Sequence, residues 1–212
     1  MPVYRHNIVS FPETKRFHFI HIPRTAGRFI DAVIEDNNFT LEHNTAGTIE
    51  GSDIIHLHRE LYEKYLNVEG IPHIAVIRNP IDRFISASMF FKRMYGDDIQ
   101  EAMEDPIMFH SMLDNFPLTE AVNWFRPQMD FLTDDTNIWK FEDGFGSDFD
   151  EWVSEIVGVE YTTKDVPYDK LSTDETKKLE KTDKLVNNIM SLYRKDYEYL
   201  YPELATPFEE GT

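Results

Sequence analysis

Residues 71–77 read IPHIAVI and run directly into Arg78-Asn79-Pro80. A stretch this apolar, without polar alternation, describes a strand buried on both faces of its sheet. Such a strand needs cover on both sides, and in domains with parallel strands helices supply it. Asn79 is a preferred N-cap and Pro80 suits the first helical turn. A helix is therefore expected over 80–94, with Ile81, Phe84, Ile85 and Phe91 turned inward. The same order of elements occurs earlier. Residues 17–22 (FHFIHI) read as a strand and residues 23–27 (PRTAG) as a loop. Phe29, Ile30, Val33 and Ile34 then form one face of a helix that Asn37 and Asn38 end.

The rest of the chain fits this alternation. Residues 53–57 read as a second strand, followed by a helix over 60–66, and residues 136–141 as a fourth strand. Residues 97–125 read as helical and acidic, broken at Pro106 and Pro117. Phe149, Trp152, Val153 and Ile156 share one side of a helix over 149–157. Ser172 and Glu175 have capping-box spacing. Leu185, Ile189, Leu192, Tyr193 and Leu200 mark a long helical region stopped by Pro202. No repeat or flexible linker interrupts the pattern. The expectation is one domain over residues 1–212, a three-layer α/β fold with a central parallel sheet. In such folds ligands sit at the carboxyl ends of the strands. Arg24 and Arg78 both fall there.

Composition narrows the chemistry. The chain has 39 acidic against 21 basic residues, a formal charge of −18. That balance disfavours nucleic acid and anionic membranes as partners. It also sets apart Arg24, Arg28, Arg78 and Arg83, which lie in its least acidic stretches. With no cysteine, a thiol nucleophile, a disulfide scaffold and a Cys-ligated metal are excluded. No segment has the length of a membrane span, and residues 1–17 lack the apolar run of a signal peptide. A cytoplasmic protein, from a bacterium or a virus of bacteria, is the expectation.

Each strand-loop-helix turn offers backbone N–H groups and the positive end of a helix to an anion. In the first, Gly27 permits close backbone approach, Thr25 adds a hydroxyl and Arg24 a forked cation. This is P-loop-like phosphate binding without GxxxxGK[ST], so an ATP-dependent nucleotide or sugar kinase fits poorly. In the second, Arg83 and Ser86 share a helix face, and Arg78 precedes them at the strand end. Arg78 and Ser86 suit one phosphate, held in bidentate fashion by the guanidinium. Arg83 is open between phosphate binding and a structural role. Two such turns suit a ligand with two separated phosphates.

PRTAGRF at 23–29 and RNPIDRFISAS at 78–88 resemble the phosphate motifs of the PAPS-dependent sulfotransferases. PAPS is 3′-phosphoadenosine 5′-phosphosulfate. The resemblance is to the glycan-directed branch that includes hexuronyl 2-O-sulfotransferases. There the motifs read close to PKTAGTS and RNPxxRxxSxY. WFRPQMDFL (124–132), IWKFEDGFGSDF (138–149) and LYRKDYEYLYP (192–202) are similar to later family segments, so the likeness runs from about residue 17 to 202. It implies that Arg24, Thr25, Ala26, Gly27, Arg28 and Phe29 hold the 5′-phosphosulfate, and that Arg78 and Ser86 hold the 3′-phosphate. It also implies a hydroxyl-bearing acceptor, a glycan, and no metal cofactor. Three positions depart from the pattern. Arg24 replaces a lysine thought to stabilise the bridging oxygen as the S–O bond breaks, and it can supply charge but no proton. Arg28 and Phe29 replace a Thr-Ser pair. Ser88 replaces a tyrosine.

Sulfuryl transfer to an alcohol needs a base, and histidine suits it near neutrality. Residues 53–58 read DIIHLH. On a strand His56 and His58 would point to one side. In the uronyl branch the second histidine of an HxH pair is the base. The resemblance thus assigns His58 as base and His56 to the acceptor, with Glu60 as an alternative base. Zinc binding by the pair lacks a spaced third ligand. Arg126 and Gln128 either line the acceptor cleft or brace a loop. His21 lies close enough to the first loop to support it. Lys164, Tyr168 and Lys170 fall where the family covers the adenine, and none is assigned. A nucleotide-binding protein without turnover is the further alternative, kept open by Arg24.

Overall fold

The computed structural model describes residues 1–6, 15–42, 46–95, 123–164, 166 and 181–205. Strand β1 (Val3–His6) pairs antiparallel with β2 (Arg16–Ile20), Val3 opposite His18 and Arg5 opposite Arg16. Helix α1 (Gly27–Asp36) follows the first loop and ends at Asn37, with Asn38 at a φ of 62°. Strand β3 (Phe39–Leu41) then pairs antiparallel with the far side of β1. Strands β4 (Thr48–Ile49) and β5 (Ser52–Asp53) form a separate two-stranded ribbon. After a 3₁₀ turn (Ile54–His56) come α2 (Arg59–Tyr65), the fully buried β6 (His73–Ile77) and α3 (Pro80–Tyr95). Strand β7 (Asn137–Lys140), α4 (Ser147–Val157), α5 (Asp183–Leu192) and α6 (Arg194–Leu200) complete the strands and α-helices named here, with 3₁₀ turns at Gln128–Phe131, Phe141–Asp143 and Pro202–Leu204.

The main sheet has the order β3-β1-β2-β6-β7. It is mixed, which corrects the all-parallel expectation. Strands β2, β6 and β7 are mutually parallel, with His18 beside His73 and Val76 beside Trp139. Strand β1 runs against both neighbours, so β3 again points the same way as β2. The cause is chain length. Only the nine residues 7–15 separate β1 from β2, too few for a parallel crossover of a dozen or more.

Strand alternation sends side chains to two cores. Phe17, Phe19, Ile74 and Val76 pack with Ile30, Val33 and Ile34 of α1 and with Phe149, Val153 and Val157 of α4. Ile20, Ala75 and Ile77 pack with Leu61 and Tyr62 of α2, Phe84 and Phe91 of α3, Leu185 and Ile189 of α5, and Tyr197 of α6. Helices thus cover both faces of the sheet. Among the described residues no helix is long and apolar enough to cross a membrane.

Two other expectations change. The strand expected over 53–57 is confined to Ser52–Asp53. The Asp53 carboxylate accepts from Ile55 N at 3.1 Å and turns the chain into the 3₁₀ segment. His56 and His58 therefore do not share a strand face. The C-terminal helical region divides at Tyr193 (φ −104°, ψ 30°), whose buried hydroxyl donates to Phe125 O at 2.7 Å. The expected capping box at 172–175 and most of the expected helical stretch over 97–125 lie outside the described residues.

Candidate anion-binding site

The carboxyl ends of β2, β6 and β7 open onto residues 21–26, Arg78 and Phe141. Arg24 and Ala26 both adopt left-handed backbone, with φ of 70° and 71°. For non-glycine residues that costs on the order of 1–3 kcal/mol each and persists only where the surroundings enforce it. Three contacts enforce it here. The Thr25 hydroxyl donates to Ile22 O at 2.8 Å. Arg83 Nε donates to Pro23 O at 3.0 Å, and Arg78 Nη1 to Arg24 O at 3.4 Å. Ala26 then opens α1, its carbonyl accepting from the Phe29 and Ile30 amides. No side chain caps α1 and its first turn holds no acidic residue. Its positive end is left to water or an anion.

Gly27 is required by a close approach. A Cβ on it would stand 1.5 Å from His21 Nε2. The His21 ring is buried, stacked on Phe19 with centroids 5.5 Å apart, and lies edge-on to His56 at 4.8 Å. Burial, with help from the charges of His56, the Met1 amine and Arg28, holds its pKa well below the usual histidine value. It is a neutral brace under the loop, as its sequence position suggested. Asp31 approaches its Nδ1 at 3.5 Å and accepts a 2.7 Å hydrogen bond from Tyr4. Burial pushes the Asp31 carboxyl up to about 6.

The two motifs meet directly. Arg24 Nε donates to Ser86 Oγ at 3.1 Å, and its guanidinium lies 4.7 Å from the Phe90 ring centroid. Arg78 stacks on Phe141 at 4.5 Å. Burial first, and then the charges of Arg78, Arg28 and Arg93, lower the Arg24 pKa to about 10. Three other guanidiniums thus act on Arg24 at this end of the sheet, in a chain of net charge −18. Among the described residues no carboxylate comes within 4.0 Å of Arg24. Arg28 is exposed, whereas Phe29 packs against Phe145 at 5.2 Å at the edge of the α1–α4 core.

Other candidates take structural roles. Arg83 is fully buried, and besides Pro23 O it binds Trp124 O at 3.2 Å and Arg126 O at 2.8 Å. That resolves the open choice in favour of bracing, by carbonyls rather than a carboxylate. Gln128 is also fully buried, which corrects its placement at an acceptor cleft. Its Oε1 accepts from Arg78 N at 2.9 Å and its Nε2 donates to Arg78 O at 2.8 Å. Its own backbone N–H donates to Asp196 at 2.9 Å. Gln128 is the clamp that fixes Arg78. Ser88, at the tyrosine position, donates back to Phe84 O at 2.9 Å inside α3. Asn79 caps α3 as expected, its Oδ1 accepting from Ile81 N at 3.0 Å.

His58 is the N-cap residue of α2, half-buried and without a side-chain capping bond. Burial first and the Arg126 charge second lower its pKa, so the ring is neutral near pH 7. Arg126 is half-buried beside it and bonds Asn123 Oδ1 at 3.1 Å. Glu60 is exposed in the first turn of α2. Asn123 ties the segment back, donating to His56 O at 3.2 Å. The histidine turn, residues 123–126 and Pro23 are thus joined through Asn123 and Arg83. Sequence reading missed Phe90, Phe141 and Asp53. Phe90 had one signal, lying four residues after Ser86 on the same face of α3. Among the described residues no three His, Asp or Glu side chains are grouped to hold a metal. Comparison with protein-family models, curated proteins and solved structures finds no match to this chain.

Proposed function

We propose that this protein is a sulfotransferase that moves the sulfuryl group of PAPS to an acceptor hydroxyl on a carbohydrate. The observation that carries the reading is the 3.1 Å bond from Arg24 to Ser86. It brings the loop assigned to the 5′-phosphosulfate and the helix assigned to the 3′-phosphate to one place, with Arg78 beside both. A bisphosphorylated anion there offsets the repulsion that Arg78, Arg28 and Arg93 exert on Arg24. Residues 24–29, with the uncapped end of α1, take the phosphosulfate, and Arg78 and Ser86 take the second phosphate.

In the reaction an acceptor oxygen attacks sulfur in line as the bond from sulfur to the bridging phosphate oxygen breaks. Arg24 stabilises the charge that develops on that oxygen. Fixed electrostatics of this kind is commonly the largest catalytic term. The proton leaves to an imidazole of the 54–58 turn. The resemblance names His58, and the reading needs only that one of the two histidines serve. Arg126, beside His58, contacts the acceptor.

The test is transfer of radiolabelled sulfate from PAPS to a panel of glycans and small alcohols. Phosphate transfer from labelled ATP with magnesium runs in parallel. Labelled product from PAPS alone is expected. Phosphate transfer from ATP would replace the reading with a kinase. Tight nucleotide binding without transfer to any acceptor or to water would replace it with a nucleotide-holding protein.

A further inference from the structure

The turn that carries the two histidines treats them unequally. One Asp53 oxygen caps the 3₁₀ turn through Ile55 N. The other lies 3.6 Å from His56 Nδ1. That nitrogen is buried and has no hydrogen-bond partner among the described residues, and 16% of the His56 side chain is exposed. A separation of 3.6 Å is long for a hydrogen bond, but catalytic contacts of this type are often long before substrate binds and tighten with charge. The ring is also fixed edge-on by His21, which lies against Gly27 of the phosphate loop, and its carbonyl is held by Asn123. Among the described residues no carboxylate comes within 4.0 Å of the His58 ring, and its strongest charged neighbour is the cation Arg126.

We infer that His56, backed by Asp53, is the proton acceptor of the transfer reaction, and that His58 orients the acceptor beside Arg126. The roles are the reverse of those the resemblance implies, and the inference rests on the sulfotransferase reading. The acceptor O–H proton passes to His56 Nε2 as the new O–S bond forms. The electrons of the breaking S–O bond stay on the bridging phosphate oxygen beside Arg24. The imidazolium that results is stabilised through Nδ1–H by the Asp53 carboxylate, the geometry of a carboxylate-oriented base. The other groups facing this pair are His21, the Arg28 and Asp31 side chains of α1 behind His21, and the Met1 amine. Burial works to raise the Asp53 pKa, but the adjoining His56 and the hydrogen bond from Ile55 N outweigh it, so the carboxylate stays charged.

The experiment uses the full chain, radiolabelled PAPS and water as the simplest acceptor, with binding of 3′-phosphoadenosine 5′-phosphate (PAP) measured on every variant. His56→Gln is expected to lose about 100-fold or more in turnover while keeping its PAP affinity. His58→Gln is expected to lose far less turnover than His56→Gln does, its loss reading acceptor orientation rather than proton transfer. Asp53→Asn is expected to slow turnover while keeping PAP affinity, because the imidazolium loses its carboxylate partner. Long-range nitrogen–proton NMR is expected to place the His56 proton on Nδ1. That measurement and Asp53→Asn decide the matter if His56→Gln does not fold. Turnover lost in His58→Gln but kept in His56→Gln overturns the inference and leaves the sulfotransferase reading standing. So does undiminished turnover in Asp53→Asn, or a proton on Nε2. Wild-type protein that does not bind PAP overturns both.

Discussion

Gly27→Ala isolates the packing that holds the phosphate loop. The added Cβ would meet His21 Nε2 at 1.5 Å, Cδ2 at 2.0 Å and Cε1 at 2.4 Å. Ordinary contact distances require the ring to retreat by about 2 Å. The Phe19 and His56 rings flank it and it is only 5% exposed, so little room exists. Overpacking of this kind costs about 3 kcal/mol at the upper end of its usual range. In a His21→Ala background the obstacle is gone. There Gly27→Ala is expected to stabilise by about 0.5 kcal/mol, because alanine restricts the unfolded chain. The double-mutant cycle thus carries a coupling of about 3.5 kcal/mol between two residues in contact. Urea unfolding reads it directly. With an m-value of about 2 kcal/mol/M, Gly27→Ala lowers the midpoint by about 1.5 M in the native background. A loss below about 1 kcal/mol, or the same loss in both backgrounds, would refute His21 as the wall of the loop.

Two further outcomes follow from the same geometry. Gln128→Leu leaves the N–H and C=O of Arg78 without their partners and is expected to cost about 2–4 kcal/mol in urea unfolding. It is also expected to weaken PAP binding through the displaced Arg78, and unchanged PAP affinity would contradict the clamp. Burial lowers the His73 pKa below 6.5, and its Nδ1 lies 2.9 Å from that of buried His18. As pH falls through 6.5 the unfolded chain takes up a proton that the fold disfavours, so stability present above that value is lost below it. The slope is up to about 1.4 kcal/mol per pH unit for one group, with His21 and His58 adding in the same sense. The urea midpoint should fall from pH 7 to pH 5, and His73→Asn should flatten part of the fall. A midpoint that holds steady would contradict the assignment.

The elements that were legible in the sequence are those whose signals are local. The unbroken apolar run before Asn79-Pro80 became β6 and α3, because burial on both faces and a side-chain cap need only neighbouring residues. Strand β1 was not legible at all, although it pairs with β2 only nine residues on, because four residues are too few to show a period. The 53–57 segment misled because Ile54, Ile55 and Leu57 suggest a strand, whereas the Asp53 carboxylate bends the backbone into a 3₁₀ turn. At the site, the position of both motifs at strand ends could be anticipated, but the direct bond from Arg24 to Ser86 could not. Nor could the clamp on Arg78. Gln128 lies 50 residues away, and only its burial and two backbone hydrogen bonds reveal what it does. Arg83 was undecided for the same reason, because its carbonyl partners carry no side-chain signature.

The central claim is a site for two separated phosphates spanning Arg24 and Arg78. Calorimetric titration with PAP, AMP and ATP, on wild type and Arg78→Ala, tests it most directly. The account predicts micromolar binding of PAP, binding of AMP and ATP weaker by about tenfold or more, and loss of that preference in the variant. Equal affinity for PAP and AMP, or PAP binding untouched by Arg78→Ala, would contradict it.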